Sequence, residues 1–184
     1  HRWSHSCHRR CGWERVGAVP DKDTAVIIAA PPTTNCDAYW LIIYQFAIDD
    51  DVRFLGKHTI FWWPLGPLMR SFGATPIDRS DPANVVPQLV KEFADAEHLF
   101  LALSPEGTRK WKPYWKTGFY RIARAANVPV VLAFIDYKTK QMGIGPTLPL
   151  GLSLQETLTE IRKYYAHRRG YRPELQGPLE FPPE

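Results

Sequence analysis

Short apolar runs alternate with longer amphipathic stretches along most of this chain. Runs rich in β-branched and aliphatic residues predict buried strands at Thr24–Ala30, Val52–Lys57, Ala74–Ile77, 98–103 and 128–135. Apolar residues at helical spacing predict helices at 38–48, 61–72, 82–96, 117–126 and 155–168. Strands that alternate with helices indicate an α/β fold. We expect a single domain with a largely parallel central sheet flanked by helices.

The two ends of the chain lack this pattern. Residues 1–15 predict a disordered basic tail, residues 16–172 the folded domain, and residues 173–184 a proline-rich C-terminal tail. Residues 1–15 carry +3 of the net charge of +4, so the rest of the chain is close to neutral. A near-neutral body argues against a fold-wide attraction to nucleic acid. With 45% hydrophobic and 23% charged residues, the chain is also not of the disordered class.

Cysteine usage and hydropathy indicate a reducing compartment. Three cysteines are too few, and odd in number, for a disulfide framework. No apolar stretch reaches the roughly 18 residues of a spanning helix, and no secretory signal is visible, so we expect a cytoplasmic location. His5, Cys7, His8 and Cys11 are metal-ligand types, but their spacing matches no usual zinc finger. We predict no metal and no other cofactor.

Three polar segments follow predicted strands. They read PPTTNCD at 31–37, GKHTIFWWPLGPLMRSFGATPIDR at 56–79, and SPEGTR at 104–109. In open α/β sheets, ligand sites gather at the loops beyond the carboxyl ends of the strands. These segments are therefore the candidate site.

In this order the segments resemble the phospholipid/glycerol acyltransferase family, whose best-known members are the 1-acylglycerol-3-phosphate acyltransferases. The resemblance covers about residues 20–150. The family's third motif, Glu-Gly-Thr-Arg, is present in full as Glu106-Gly107-Thr108-Arg109. The fourth, a Val-Pro strand, resembles Val128-Pro129-Val130. The second motif resembles the set Lys57 through Pro64, Gly66, Arg70, Gly73, Asp78 and Arg79.

The chain departs from the family in the first motif. That motif is a histidine and an aspartate with four residues between them. The histidine takes the proton of the attacking glycerol hydroxyl, and the aspartate orients the ring. Here Asp37 occupies the aspartate's place, and Pro32 stands five residues before it. Proline has no titratable group and cannot be the base.

No other histidine recreates this pair, because none is followed five residues later by an aspartate. A Cys36 nucleophile with His58 as base is chemically possible, although a lone cysteine more often packs as a small apolar group. Cys36 itself stands where many bacterial relatives carry an aromatic residue. Two departures in one short segment suggest a decayed, altered or misread copy of an active enzyme. Resequencing of the source DNA separates a misread copy from a true inactive homologue.

The resemblance implies transfer of a fatty acyl group from acyl-CoA or acyl carrier protein to a lysophospholipid or glycerol 3-phosphate. It implies that Lys57, Arg79 and Arg109 bind phosphate, which arginine suits by its forked donors. Glu106, Gly107 and Thr108 would form the substrate-binding turn, with Glu106 holding the turn rather than transferring a proton. The alternative for these residues is that they are turn residues and surface salt bridges. The alternative function is a catalytically inactive homologue that binds phospholipid or acyl-CoA.

Basic and aromatic residues interleave at 109–116 (RKWKPYWK). Such a pattern occurs in single-stranded nucleic-acid platforms, in lipid-interface segments and in ordinary packing. Because the segment follows the acyltransferase-like turn directly, we favour lipid contact, together with Trp62 and Trp63. We expect peripheral association with the inner face of a membrane and no nucleic-acid partner.

Overall fold

The computed structural model describes residues 12–18, 20, 22–30, 52–57, 66–67, 74–77, 82–107 and 111–182. Within these residues, seven strands form one sheet, at Glu14–Val16 (β1), Thr24–Ala30 (β2), Val52–Lys57 (β3), Ala74–Ile77 (β4), Leu99–Leu103 (β5), Val130–Asp136 (β6) and Gln141–Thr147 (β7). The α-helices of the same ranges are Pro82–Asp95 (α1), Gly118–Ala126 (α2) and Leu154–Tyr165 (α3).

The described strands are arranged in the order β1-β7-β6-β2-β5-β3-β4. The five strands from β6 to β4 are mutually parallel, whereas β7 runs antiparallel to β6 and pairs with β1 in parallel. The prediction of a single α/β domain with a largely parallel sheet is thereby confirmed. β2 and β6 are buried over nearly their whole length, as is usual for parallel strands covered on both faces.

The main core lies on one face of the sheet, under the helices. Ile28 of β2 and Leu132 of β6 belong to the same buried cluster as Phe119 and Ile122 of α2. A smaller cluster on the other face takes the alternate strand residues, including Ile27. This alternation follows from the two-residue period of a strand, and it fixes which residues of β2 face the helices.

The predicted end of the N-terminal tail needs correction. Glu14 and Arg15 were predicted to belong to the disordered tail, but both lie in β1, where they pair with Gln141 and Met142 of β7. Neither β1 nor β7 was predicted. The reason for β1 is its length of three residues with both ends exposed, which leaves no alternation to detect.

The end of α3 also differs from the prediction, because the apolar pattern suggested a helix to residue 168 and the helix ends at Tyr165. Its start is a capping box, in which Ser153 and Glu156 exchange side-chain to backbone hydrogen bonds. Arg168 consequently lies in the loop after the helix. The predicted helices 38–48 and 61–72 lie outside the described residues, except for Gly66 and Pro67, which are helical.

Residues 173–182 pack against the domain. Phe181 is buried, with its ring 6.0 Å from that of Phe119. Arg162 Nε donates to the carbonyl of Leu179 at 2.7 Å, and the backbone N–H of Trp115 donates to Glu180 at 2.7 Å. The C-terminal segment therefore holds α3 against the chain that follows β5.

Candidate active site

The carboxyl ends of four neighbouring parallel strands meet at one edge of the sheet. β2 ends at Ala30 and β5 at Leu103, and their register pairs Ile28 with Leu103. On the other side of β5, β3 ends at Lys57, which pairs with Ile77, the last residue of β4. The strands that precede the three polar segments, β2, β3 and β5, are therefore adjacent and end at the same edge.

The direction of the chain across the sheet reverses between β2 and β5. β2 is followed by β3, two places away in one direction, and β5 is followed by β6, two places away in the other. Ligands of open α/β sheets bind outside the carboxyl ends of the strands at such a switch point. The topology alone therefore locates the candidate site between the ends of β2 and β5.

A tight turn follows β5 at this point. The backbone N–H of Gly107 donates to the carbonyl of Ser104 at 3.1 Å. Gly107 has a φ of 64°, in the left-handed region that glycine adopts without a steric penalty. The side chain of Lys116 lies over it, so that a Cβ on Gly107 would be 3.1 Å from Nζ. The backbone conformation thus favours glycine, and a larger residue would also have to move the Lys116 side chain.

The segment after the turn is joined to it by a backbone hydrogen bond. The backbone N–H of Lys116 donates to the carbonyl of Pro105 at 2.8 Å. The neighbouring Trp115 is 1% exposed and packs edge-on against Tyr165 of α3, with 5.7 Å between ring centroids. The backbone of Lys116 is thereby fixed relative to the turn.

The turn contains buried polar groups. Glu106 is 2% exposed, and buried carboxylates persist in folded proteins when they are paired or hydrogen-bonded. Two polar atoms in the same region, Ser104 Oγ and Trp115 Nε1, are buried and have no hydrogen-bond partner among the described residues. The turn is thus an integral part of the domain interior rather than a surface loop.

Comparison with known families identifies the chain. A model of the Acyltransferase family matches residues 15–135, about two thirds of the sequence. The chain belongs to the acyltransferase family. The match includes all five parallel strands from β2 to the end of β6 except Asp136, and hence the whole candidate site.

A solved structure has the same fold as this acyltransferase. The crystal structure of the 1-acyl-sn-glycerophosphate (LPA) acyltransferase PlsC from Thermotoga maritima superimposes with a TM-score of 0.58 and 16% sequence identity. The match covers 90% of this chain and 73% of that chain. At this identity the likeness shows the fold. No curated protein sequence matches the chain significantly.

The structure brings part of the predicted acyltransferase site together. Glu106 and Gly107 form the turn after β5, and Lys57 is the last residue of β3. The other candidate side chains lie outside the described residues, namely Pro32, Cys36, Asp37, His58, Arg79, Thr108 and Arg109. The N-terminal histidine and cysteine group lies outside them as well.

The basic and aromatic segment is divided between core and surface. Trp115 is buried, whereas Trp111 is 52% exposed and Tyr114 41% exposed. Sequence reasoning did not single out Lys116 or Arg168 as site residues. For Lys116 a signal existed in its place in the basic and aromatic segment, nine residues after Gly107. For Arg168 no local signal exists, because its surroundings come from β6 and α3.

Two general properties complete the description. Among the residues that the structure describes, no three His, Cys, Asp or Glu side chains gather into a metal-binding group. The described part of the chain also contains no helix of the length and apolar character needed to cross a membrane.

Proposed function

We propose that this acyltransferase acts on glycerolipid precursors, transferring a fatty acyl group from a thioester donor to the hydroxyl of a lysophospholipid or glycerol phosphate. The proposal is carried by one observation. The Glu106-Gly107 turn stands at the switch point between β2 and β5 in a chain that the family model matches. The name of the PlsC structure, a 1-acyl-sn-glycerophosphate acyltransferase, supports the choice of acceptor.

The proposed reaction is a single substitution at the acyl carbonyl. The acceptor hydroxyl oxygen forms a bond to the carbonyl carbon, the bond from that carbon to sulfur breaks, and the thiol leaves with the hydroxyl proton. The donor is the thioester of coenzyme A or of acyl carrier protein. The chain's own contribution is to hold both substrates at the carboxyl edge. Removal of the hydroxyl proton during attack is the role of the family's histidine base, which Pro32 replaces here.

The acceptor's phosphate requires fixed positive charge. We assign this role to Lys57, Arg79 and Arg109. Support comes from the place of Lys57 at the end of β3 and from the turn that precedes Arg109. The ammonium of Lys116, lying over Gly107, adds a further positive charge at the same turn. We propose that Glu106, Gly107 and Thr108 form the substrate-binding turn and that buried Glu106 stabilises it.

Pro32 sets the expected rate. It stands where the family has its histidine base, five residues before Asp37. Without a base, the hydroxyl must attack while it still holds its proton, and loss of general-base assistance typically lowers a rate by about 10²–10⁴-fold. We therefore propose that the chain as written turns over slowly or not at all.

Pro32 also favours a second function. A chain that keeps its phosphate-binding turn and lacks its base is suited to binding phospholipid or acyl-CoA without reaction. In this alternative the chain is a binding module, and its affinity for both substrates persists while turnover is absent.

We further propose that the chain works at a membrane surface on the cytoplasmic side. Trp111 and Tyr114 are exposed on the segment that follows the motif turn, and Lys112 between them carries positive charge. Exposed aromatic rings flanked by cations are suited to the interface of an anionic bilayer. A lipid acceptor can then reach the site from the membrane.

The test is an acyl-transfer assay with acyl-CoA and lysophosphatidic acid, applied to the chain as written and to Pro32→His. Pro31→His is the matched control, because it adds an imidazole one residue out of register. We expect transfer to appear in Pro32→His alone. A folded Pro32→His variant that binds neither substrate and transfers nothing contradicts both proposed functions.

A further inference from the structure

One cation at the carboxyl edge belongs to no motif. Arg168 lies in the loop after α3, and that loop is held in place by its backbone. The N–H of Arg169 donates to Asp136 Oδ1 at 3.4 Å, and its carbonyl accepts from the N–H of Tyr137 at 2.9 Å. Gln176 bonds both the carbonyl of Arg168 and the N–H of Gly170. Arg168 is thus anchored to the end of β6.

The guanidinium of Arg168 is held between two aromatic rings. Its Cζ lies 4.1 Å from the ring centroid of Phe134 and 3.7 Å from that of Tyr164. Its Nη1 donates to the carbonyl of Tyr164. The two rings lie at 79° to each other, and contact with both stabilises the positive charge and restricts the side chain. The side chain is therefore preorganised.

The remaining donor edge of this guanidinium has no acceptor. Nε is buried, and it makes no hydrogen bond in the part of the chain that the structure describes. Nor does Arg168 form an ion pair with a carboxylate within those ranges. Nε and Nη2 share the edge that binds carboxylate or phosphate with two parallel hydrogen bonds. A buried donor of this kind is unfavourable unless a partner arrives.

The guanidinium of Arg168 lies near the carboxyl end of β2. Phe134, under the guanidinium, is paired in register with Ala30, the last residue of β2. β6 flanks β2 on the side opposite β5. Arg168 therefore stands one strand away from the switch point, on the side away from Lys57.

We infer that Arg168 is an anion-binding residue whose guanidinium receives a phosphate group of a substrate. The inference rests on the proposed function for the identity of the molecule that bears the phosphate. Either the acceptor's phosphomonoester or the phosphates of the coenzyme A moiety supplies the same chemistry. The guanidinium and the two rings make arginine, rather than lysine, the suitable residue.

Isothermal titration calorimetry on the full chain tests the inference without requiring turnover. The probes are glycerol 3-phosphate and coenzyme A, with glycerol and pantetheine as their counterparts without phosphate. Arg168→Gln removes the charge and the fork, whereas Arg168→Lys keeps the charge. Arg169→Gln is the matched control, since this neighbour is exposed and uses only its backbone in the contacts above.

We expect Arg168→Gln to raise the Kd of at least one phosphate-bearing probe by about tenfold to a hundredfold, the scale of a lost charge-assisted hydrogen bond. The Kd of Arg168→Lys should lie between the values of the unaltered chain and of Arg168→Gln. The Kd of Arg169→Gln should stay within about twofold of the value for the unaltered chain. If coenzyme A binding is weakened, Arg168 binds a phosphate of the acyl donor. If glycerol 3-phosphate binding is weakened, Arg168 binds the phosphate of the acceptor. If Arg168→Gln does not fold, Arg168→Lys decides.

The inference is overturned if the unaltered chain binds neither probe. It is also overturned if the folded Arg168 variants bind both probes as the unaltered chain does, or if Arg169→Gln weakens binding equally. Failure of the proposed function is distinguishable. In that case no variant, Pro32→His included, transfers an acyl group, while Arg168→Gln still weakens phosphate binding.

Discussion

The side chain of Lys116 crosses directly over Gly107, so that a Cβ at Gly107 would lie 3.1 Å from Nζ and 3.2 Å from Cε. Gly107 belongs to the motif turn after β5, and Lys116 is joined to that turn by its backbone bond to Pro105. The glycine of the motif therefore serves two purposes. It permits the left-handed backbone, and it leaves room for a cation beside the turn.

Gly107→Ala should destabilise the fold. A non-glycine residue in the left-handed region costs about 1–2 kcal/mol, and the new methyl group must also displace Lys116. Guanidinium unfolding monitored by tryptophan fluorescence measures the loss. Gly118→Ala is the control, because Gly118 opens α2 with open space around it. That variant should be neutral or stabilised by up to about 1 kcal/mol. Equal effects in the two variants would contradict this account of the turn.

Tyr165→Phe should be more destabilising than its small change in volume suggests. The buried Tyr165 hydroxyl lies 3.0 Å from the carbonyl of Ile28 and 2.7 Å from that of Ala133. Its removal loses the buried hydrogen bond of this hydroxyl to the two strands, at a cost of about 0.5–1.5 kcal/mol. Tyr120→Phe removes a partly buried hydrogen bond to Leu152 and should cost less. If chemical unfolding shows no difference between the variants, the bridging role of Tyr165 is wrong.

The same hydroxyl predicts a loss of stability at alkaline pH. Burial raises the pKa of Tyr165 well above its usual value near 10. The unfolded chain therefore releases this proton first, and stability falls as the pH rises above about 10. Urea midpoints measured between roughly pH 8 and pH 11 should fall more steeply for the unaltered chain than for Tyr165→Phe. Parallel pH profiles would refute this assignment.

Phe181→Ala should loosen the C-terminal segment from the domain. Phe181 is buried against Phe119, and replacing a buried phenylalanine with alanine costs about 3–5 kcal/mol. The adjacent Glu180 carbonyl holds Trp115, so we also expect increased tryptophan exposure by acrylamide quenching. Pro182→Ala, at an exposed neighbour, should change stability by less than about 0.5 kcal/mol. Unchanged quenching in Phe181→Ala would show that the segment does not support Trp115.

The fold could be predicted wherever the local pattern of hydrophobic residues reflects which residues are buried. β2, β3 and β4 have the predicted bounds, because each is an apolar run closed by proline or polar residues. β7 could not be predicted, since Gln141–Thr147 contains two glycines and a proline. Those glycines are explained by packing. A Cβ on Gly143 would overlap the carbonyl of Val16, and one on Gly145 the ring of Tyr164. These contacts join distant parts of the chain and leave no local periodicity.

The candidate site likewise has a part that could be predicted from the sequence and a part that could not. The turn at Glu106 and Gly107 was predicted from four consecutive residues, and the topology places it beside the end of β2. The setting of Arg168 was not predicted, because its two rings come from β6 and α3. The overestimated length of α3 also hid it, since a residue assigned to a helix surface is not expected to contact the end of a strand.

We propose that Pro32, in the place of the family's histidine base, is the residue that keeps this chain from full acyltransferase activity. The most direct test of this proposal compares kcat/KM for transfer from acyl-CoA to lysophosphatidic acid before and after Pro32→His. The account predicts an increase of about 10²–10⁴-fold, which should disappear again in the double variant Pro32→His with Asp37→Asn. A chain that already turns over as fast with Pro32 as with histidine would contradict it.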